Sequence, residues 1–160
     1  MGFLKEKKWW PYVEEDIRNL FIEAFSLMEF AKKSDQKFND YSFVVFPAAK
    51  GYEGFLKKTF LDLGFISKED FFGKRFRVGK ALNPNLEEAF RHESVYDKLV
   101  DYCKGKKVAD QLWETWRLSR NLVFHWFPNE KNNLDLSEAK NRLEMILSAM
   151  DSLFLECKIS

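Results

Sequence analysis

The sequence predicts an all-α fold, an antiparallel bundle of four to five helices with an irregular loop insertion at about residues 64–90. Three observations support this. Apolar residues recur at the helical period of 3.6 in several long segments, short turns join most of these segments, and no segment alternates apolar and polar residues as a half-buried strand does. We expect a single domain over residues 1–160, because a chain of this length suits one compact core.

The first two long helices are predicted over residues 13–33 and 42–63. In the second, Gly51 and Gly54 each cost about 1 kcal/mol relative to alanine, which favours the close approach of a neighbouring helix, a second protomer or a substrate. Between residues 64 and 85 the periodicity disappears and glycines are frequent. We expect an inserted loop there, which leaves room for a short hairpin.

Helical patterns return over residues 91–104, 106–126 and 136–155. Gly105 separates the first two of these helices, and Pro128 is expected to end the second. Asp135 and Glu138 have the spacing of a capping box at the start of the last helix.

Composition limits the function classes. The chain has 26 basic and 25 acidic residues, so its overall field would not attract a polyanion, and nucleic-acid binding must come from local clusters. Cys103 and Cys157 are too few for a disulfide scaffold or a zinc site, and we expect two reduced thiols. The chain start lacks the apolar core of a signal peptide, and apolar runs are far shorter than the roughly 20 residues of a membrane span. We therefore expect a cytoplasmic protein with no membrane partner.

The candidate catalytic residues lie on the predicted helix over residues 106–126. Arg117, Asn121 and His125 are spaced i, i+4 and i+8 and would form one stripe, with Arg120 beside it. Arginine supplies forked donors for phosphate oxygens, and histidine exchanges protons near neutral pH. On an ideal helix, however, Arg120 and His125 lie about 140° apart, so they share a pocket only if Arg120 reaches around or the helix end is distorted. The alternative is an ordinary surface arginine and a histidine favoured by the helix dipole.

Arg120-Asn121-x-x-x-His125 resembles the R-x4-6-H signature of the HEPN superfamily, whose members are bundles of four or five helices. The upstream segment over residues 47–57 is similar to an early helix of RnlA/LsoA-type toxin ribonucleases, where a basic residue and a glutamate three positions later belong to the active region. The resemblance implies that Lys50 and Glu53 support the site. Without it, they form an ordinary i, i+3 surface ion pair.

The resemblance implies an endoribonuclease that needs no metal and no cofactor. The ribose 2′-hydroxyl would attack the adjacent phosphate and leave a 2′,3′-cyclic phosphate. His125 would move protons, Asn121 would orient it, and Arg120, with support from Arg117, would stabilise charge on the phosphate.

The resemblance also implies a homodimer that acts on RNA as the toxin of a toxin–antitoxin or phage-defence system, with an antitoxin protein as a further partner. The alternative function is a non-catalytic HEPN module that binds a nucleotide or a partner protein such as a nucleotidyltransferase.

The inserted loop carries a second candidate site. Lys74, Arg75, Arg77 and Lys80 stand among three phenylalanines, a composition suited to phosphate contact with base stacking. The alternative is an ordinary solvated loop anchored by its aromatic residues, which would have the same composition. Four aromatic residues near the motif could serve a dimer interface or stack on bases, although core packing is the commoner role: Trp113, Trp116, Trp126 and Phe127.

Overall fold

The computed structural model describes residues 2–128 and 132–159, and every regular element in these ranges is helical. The predicted all-α bundle is confirmed. In chain order the elements are α1 (Gly2–Lys5), α2 (Glu15–Lys33), α3 (Ser42–Asp62), α4 (Lys68–Phe72), α5 (Val78–Ala81), a 3₁₀ helix (Glu88–Glu93), α6 (Val95–Tyr102), α7 (Lys106–Trp116), a π-helical turn (Arg117–Asn121) and α8 (Leu136–Glu156).

The most extensive helix contact joins α2 and α3. A Cβ atom added to Gly51 would lie 3.0 Å from the Phe21 ring of α2, and one added to Gly54 would lie 2.9 Å from Cδ1 of Ile17. Of the three partners considered for these glycines, the structure places a neighbouring helix against them. The close approach buries Phe21 completely, which fixes α3 against the core.

Helix α8 packs against α3 and α7 and closes the bundle. Its start has the predicted capping box: Glu138 N donates to Asp135 Oδ1 at 2.7 Å, and Asp135 N donates to Glu138 Oε2 at 2.8 Å. The segment that follows α1 is tied to the same helix, because Trp9 Nε1 donates to Asp151 Oδ1 at 2.9 Å and Lys7 Nζ pairs with Asp151 Oδ2 at 2.6 Å.

The insertion differs from the predicted loop with an optional hairpin. Within the described residues it holds the short helices α4 and α5 and the 3₁₀ helix, and no strand. Each element spans one or two turns, which is too short for a helical period to show in the sequence. The helix predicted from residue 91 begins only at Val95, where the Ser94 side chain accepts from Asp97 N.

The expectation of two reduced thiols is wrong for this structure. Cys103 and Cys157 form a disulfide, with Cα atoms 4.8 Å apart. The two residues follow the ends of α6 and α8, and only the packing of the bundle brings these ends together. No helix in the described ranges is long and apolar enough to cross a membrane.

Candidate active site

The backbone changes helix type at the start of the motif. Helix α7 ends at Trp116, and Leu122 N donates to Arg117 O at 2.9 Å, the i→i+5 hydrogen bond of a π-helical turn. The predicted α-helix over residues 106–126 is therefore too long, and Pro128 does not end it. Because a π turn holds one residue more than an α turn, the separation of about 140° between Arg120 and His125 no longer applies. His125 lies beyond the helix, in irregular chain.

Arg120 of the π-helical turn meets Glu53 of α3. The Arg120 Nε and Glu53 Oε2 atoms are 3.7 Å apart, and the two side chains are 36% and 38% exposed. The guanidinium carbon lies 5.6 Å from the Trp116 ring centroid and 5.9 Å from that of Phe124. Aromatic rings and one carboxylate thus hold the arginine in place. Because the ion pair is long, it leaves the guanidinium donors open to a stronger acceptor.

Lys50 completes this group. A pocket of about 220 Å³ is lined by Phe46, Ala49, Lys50, Glu53, Arg120 and Phe124. Two sequence segments that are far apart in the chain, one on α3 and one on the π-helical turn, therefore form a single surface. Their catalytic roles remain predictions.

Arg117 is directed elsewhere. Its guanidinium donates to both carboxylate oxygens of Glu114, at 2.9 and 2.6 Å. This two-pronged hydrogen bond lowers the pKa of Glu114 and raises that of Arg117. The forked donors that would meet a phosphate are already occupied, so the structure does not bring Arg117 into the group around Arg120.

His125 lines a neighbouring pocket of about 390 Å³, together with Asp40, Ser42 and Phe124. The imidazole is exposed, its ring centroid is 6.1 Å from that of Phe127, and the His125 carbonyl accepts from Asn132 Nδ2 at 3.4 Å. Phe124 lines both this pocket and the one that contains Arg120. Within one chain the two motif residues therefore lie in adjacent pockets with an aromatic ring between them.

Asn121 does not accompany His125. It lines a third pocket, of about 600 Å³, which also contains Arg120 and Glu53. Among the described residues its amide forms no hydrogen bond to the imidazole, so its predicted orienting role stays a prediction.

Asp40, which sequence reasoning missed, contributes a carboxylate to the His125 pocket. Burial favours a raised pKa for Asp40, but hydrogen bonds from the Ser42 hydroxyl and from the Leu134 and Ser42 amides outweigh burial and lower the pKa. The carboxylate is therefore ionised at neutral pH. The available signal was its place two residues before the start of α3, where an aspartate side chain can accept from the backbone amide two residues on, as Asp40 Oδ1 does from Ser42 N at 2.9 Å.

The basic residues of the insertion divide between two places. Arg77 and Lys80 line the pocket of about 600 Å³ beside Arg120. Lys74 and Arg75 do not line that pocket, and Lys74 contributes its carbonyl as acceptor for Arg77 Nη1 at 2.6 Å. Gly79 allows α5 to pack closely on Trp116, because a Cβ atom at Gly79 would lie only 2.5 Å from Nε1 of Trp116.

The four aromatic residues near the motif also have different environments. Trp116 is only 7% exposed and belongs to the core. Trp113 is partly buried and packs against the core. Trp126 is 82% exposed beside His125, and Phe127 is partly exposed. Core packing therefore accounts for the first two, and the last two remain available for an interface or for bases.

A family model described as RnaseLS-like HEPN matches residues 20–100, which are 81 of the chain's 160 residues. The matched range contains α3 with Lys50 and Glu53 and the whole insertion, and it ends before Arg120 and His125. No match was found among curated proteins or among solved structures. Because the match covers just over half of the chain and the fold is an all-helical bundle, this protein belongs to the RnaseLS-like HEPN family.

Proposed function

We propose that this chain is a metal-independent endoribonuclease. One observation carries the proposal: Arg120, from the R-N-x-x-x-H motif, shares a pocket with Lys50 and Glu53, from the other segment that resembles HEPN ribonucleases. Cleavage needs positive charge at the phosphate, and here a guanidinium and an ammonium face one small pocket with a single carboxylate.

The proposed reaction is the one that the resemblance to HEPN ribonucleases implies. The 2′-oxygen of a ribose forms a bond to the adjacent phosphorus, the bond from phosphorus to the 5′-oxygen of the next nucleotide breaks, and a 2′,3′-cyclic phosphate remains. One imidazole takes the proton of the 2′-hydroxyl and another gives a proton to the leaving 5′-oxygen, and we assign both steps to His125 side chains. Arg120 and Lys50 would stabilise the charge that builds on the phosphate oxygens. DNA would not react, because it lacks the attacking hydroxyl.

A two-fold homodimer is part of the proposal. In one chain Arg120 and His125 line adjacent pockets that share Phe124, and we infer that a second copy places an imidazole and a guanidinium on one phosphate. Exposed aromatic surface supports an interface here: Phe46 is 55% exposed and Trp126 is 82% exposed, and these residues line the two pockets. An isologous contact would use the same surface of both copies.

We further propose that the enzyme is the toxin of a toxin–antitoxin or phage-defence system and that a small antitoxin protein restrains it. The family match supports this role only through the RNase-type HEPN class that it names. Co-expression with each small reading frame next to its gene tests the role, since an antitoxin should restore growth and bind the purified chain.

A second function is favoured by the separation of Arg120 and His125 within one chain. A non-catalytic HEPN module would use the same pockets to bind a nucleotide or a partner protein, and it would release no cyclic-phosphate ends from RNA.

Cleavage of RNA in the presence of a chelator separates these functions. We expect the wild-type chain to release 2′,3′-cyclic phosphate ends, and His125→Ala to lower the rate by about 10² to 10⁴, the usual contribution of a general acid or base. His125 is exposed, so the variant should keep the wild-type circular dichroism and melting temperature. Full activity of His125→Ala rejects the mechanism, and a wild-type protein that binds RNA without cleaving it supports the second function.

A further inference from the structure

The insertion encloses a pocket that is separate from the motif. It has a volume of about 390 Å³ and lies between α4, α5 and the start of α6, with Arg75, Phe76, Arg77, Lys80 and Lys98 among its lining residues. Ligand sites in proteins typically have volumes of about 300 to 1,000 Å³, so the pocket is large enough for one nucleotide.

The charges of this pocket favour an anion. Of its two carboxylates, Asp70 accepts from the Ser67 hydroxyl and amide as a helix cap, and Glu93 pairs with Lys80 at 2.7 Å. Arg77 Nη1 donates to the Lys74 carbonyl at 2.6 Å, and its other donors, like the forked donors of Arg75, have no carboxylate partner among the described residues. Such donors beside occupied carboxylates match the geometry of a phosphate group.

The pocket also offers an aromatic wall. Phe76 is partly buried and packs against the core, so its ring is held in place while it lines the cavity. Stacking of a base on such a ring changes nucleic-acid affinity by about 5- to 150-fold and tolerates any base. A cation that contacts phosphate and a fixed ring that stacks a base together recognise a nucleotide.

The insertion pocket shares lining residues with the pocket beside the candidate active site. Phe76, Arg77 and Lys80 also line the pocket of about 600 Å³ that contains Glu53 and Arg120. An RNA strand with one phosphate at Arg120 would therefore lead into the insertion pocket along a shared wall.

We propose that the insertion pocket is a nucleotide subsite for single-stranded RNA, in which Phe76 stacks a base and Arg75 and Arg77 hold a phosphate near the cleaved bond. This inference rests on the proposed ribonuclease function. It means that the insertion selects strands long enough to reach both pockets, whereas a dinucleotide would occupy the active site alone.

The test compares a dinucleotide with an oligoribonucleotide of about ten nucleotides, the length scale of single-strand sites. Arg75→Ala removes an exposed side chain that lines the insertion pocket and not the pocket of Arg120. We expect it to lower kcat/KM for the oligonucleotide about tenfold, mainly through KM, and to change the dinucleotide value less than about twofold. Phe76→Leu should also weaken binding of the oligonucleotide, because it removes the ring on which a base would stack. Lys68→Ala, an exposed cation of α4 outside both pockets, is the matched control and should act as wild type.

An equal loss of kcat/KM by Arg75→Ala on both substrates, or no loss on either, would overturn the proposed subsite. Binding of an oligonucleotide with 2′-O-methyl groups, measured by fluorescence anisotropy, keeps the test independent of catalysis. We expect Arg75→Ala to weaken this binding about tenfold even if the chain proves inactive, in which case only the ribonuclease proposal fails. Displacement of the oligonucleotide by a free nucleoside monophosphate of equal affinity would show instead a site for free nucleotides, and would overturn the proposal of an RNA strand.

Discussion

Gly79→Ala tests whether the docking of α5 on the bundle positions the insertion. The added Cβ atom would lie 2.5 Å from Nε1 of Trp116 and 3.3 Å from its Cε2 atom. A comfortable contact between such atoms is about 3.5 to 4.0 Å, so α5 and the indole must separate by about 1 Å. The indole is only 7% exposed and cannot move aside freely. Overpacking of this kind typically costs about 1 to 3 kcal/mol, which we expect as the loss in the free energy of unfolding.

Urea denaturation followed by tryptophan fluorescence measures this loss. Gly2→Ala is the matched control, because no heavy atom lies within 4 Å of a Cβ atom there, and it should change the free energy of unfolding by less than about 0.5 kcal/mol. Displacement of α5 should also move Arg77 and Lys80 away from Arg120 and lower kcat/KM for RNA. A Gly79→Ala protein as stable and as active as wild type would refute the reasoning that this contact places the insertion.

Three further outcomes are expected. Arg120→Ala should lower kcat about 10² to 10³, whereas Arg117→Ala should lower it less than tenfold, because Glu114 of α7 already holds the Arg117 guanidinium. An equal loss in both variants would contradict this difference. Reduction of the Cys103–Cys157 disulfide should lower the free energy of unfolding by about 4 kcal/mol, the chain-entropy value for two cysteines 54 residues apart. Equal urea midpoints with and without reductant would argue against the bond. Burial, and then a hydrogen bond to a carboxylate, raises the pKa of Tyr96 to about 12. Its contribution to stability is therefore complete below the unfolded pKa of about 10 and is lost as the pH rises toward 12, a loss that should be absent in Tyr96→Phe.

The long helices could be predicted from the sequence because their signals are local. The helix ends predicted from the apolar stripes of α2 and α8 lie within two residues of the helix ends in the structure, and the capping box of Asp135 and Glu138 marked the start of α8. The short elements of the insertion could not be predicted, since one or two turns carry no measurable period and are held by contacts such as that of Gly79 with Trp116.

The candidate site was predictable only in part. Its residue types are visible in the motif, and the resemblance drew attention to Glu53, which the structure indeed places beside Arg120. The change to a π-helical turn at Arg117 was not predictable, because the same residues fit an α-helix equally well and the preference depends on what they pack against. The predicted stripe of Arg117, Asn121 and His125 was lost with that change.

The sequence by itself determined the class of fold, the long helices and the chemical groups available near Arg120, because periodicity, caps and side-chain chemistry are properties of short segments. Tertiary structure alone decided which of these groups meet. It joined Arg120 to Glu53, left His125 in an adjacent pocket with Asp40, and brought Arg77 beside the site. The physical reason is that such meetings depend on how helices distant in the chain pack together, and packing is set by the whole core rather than by any one segment.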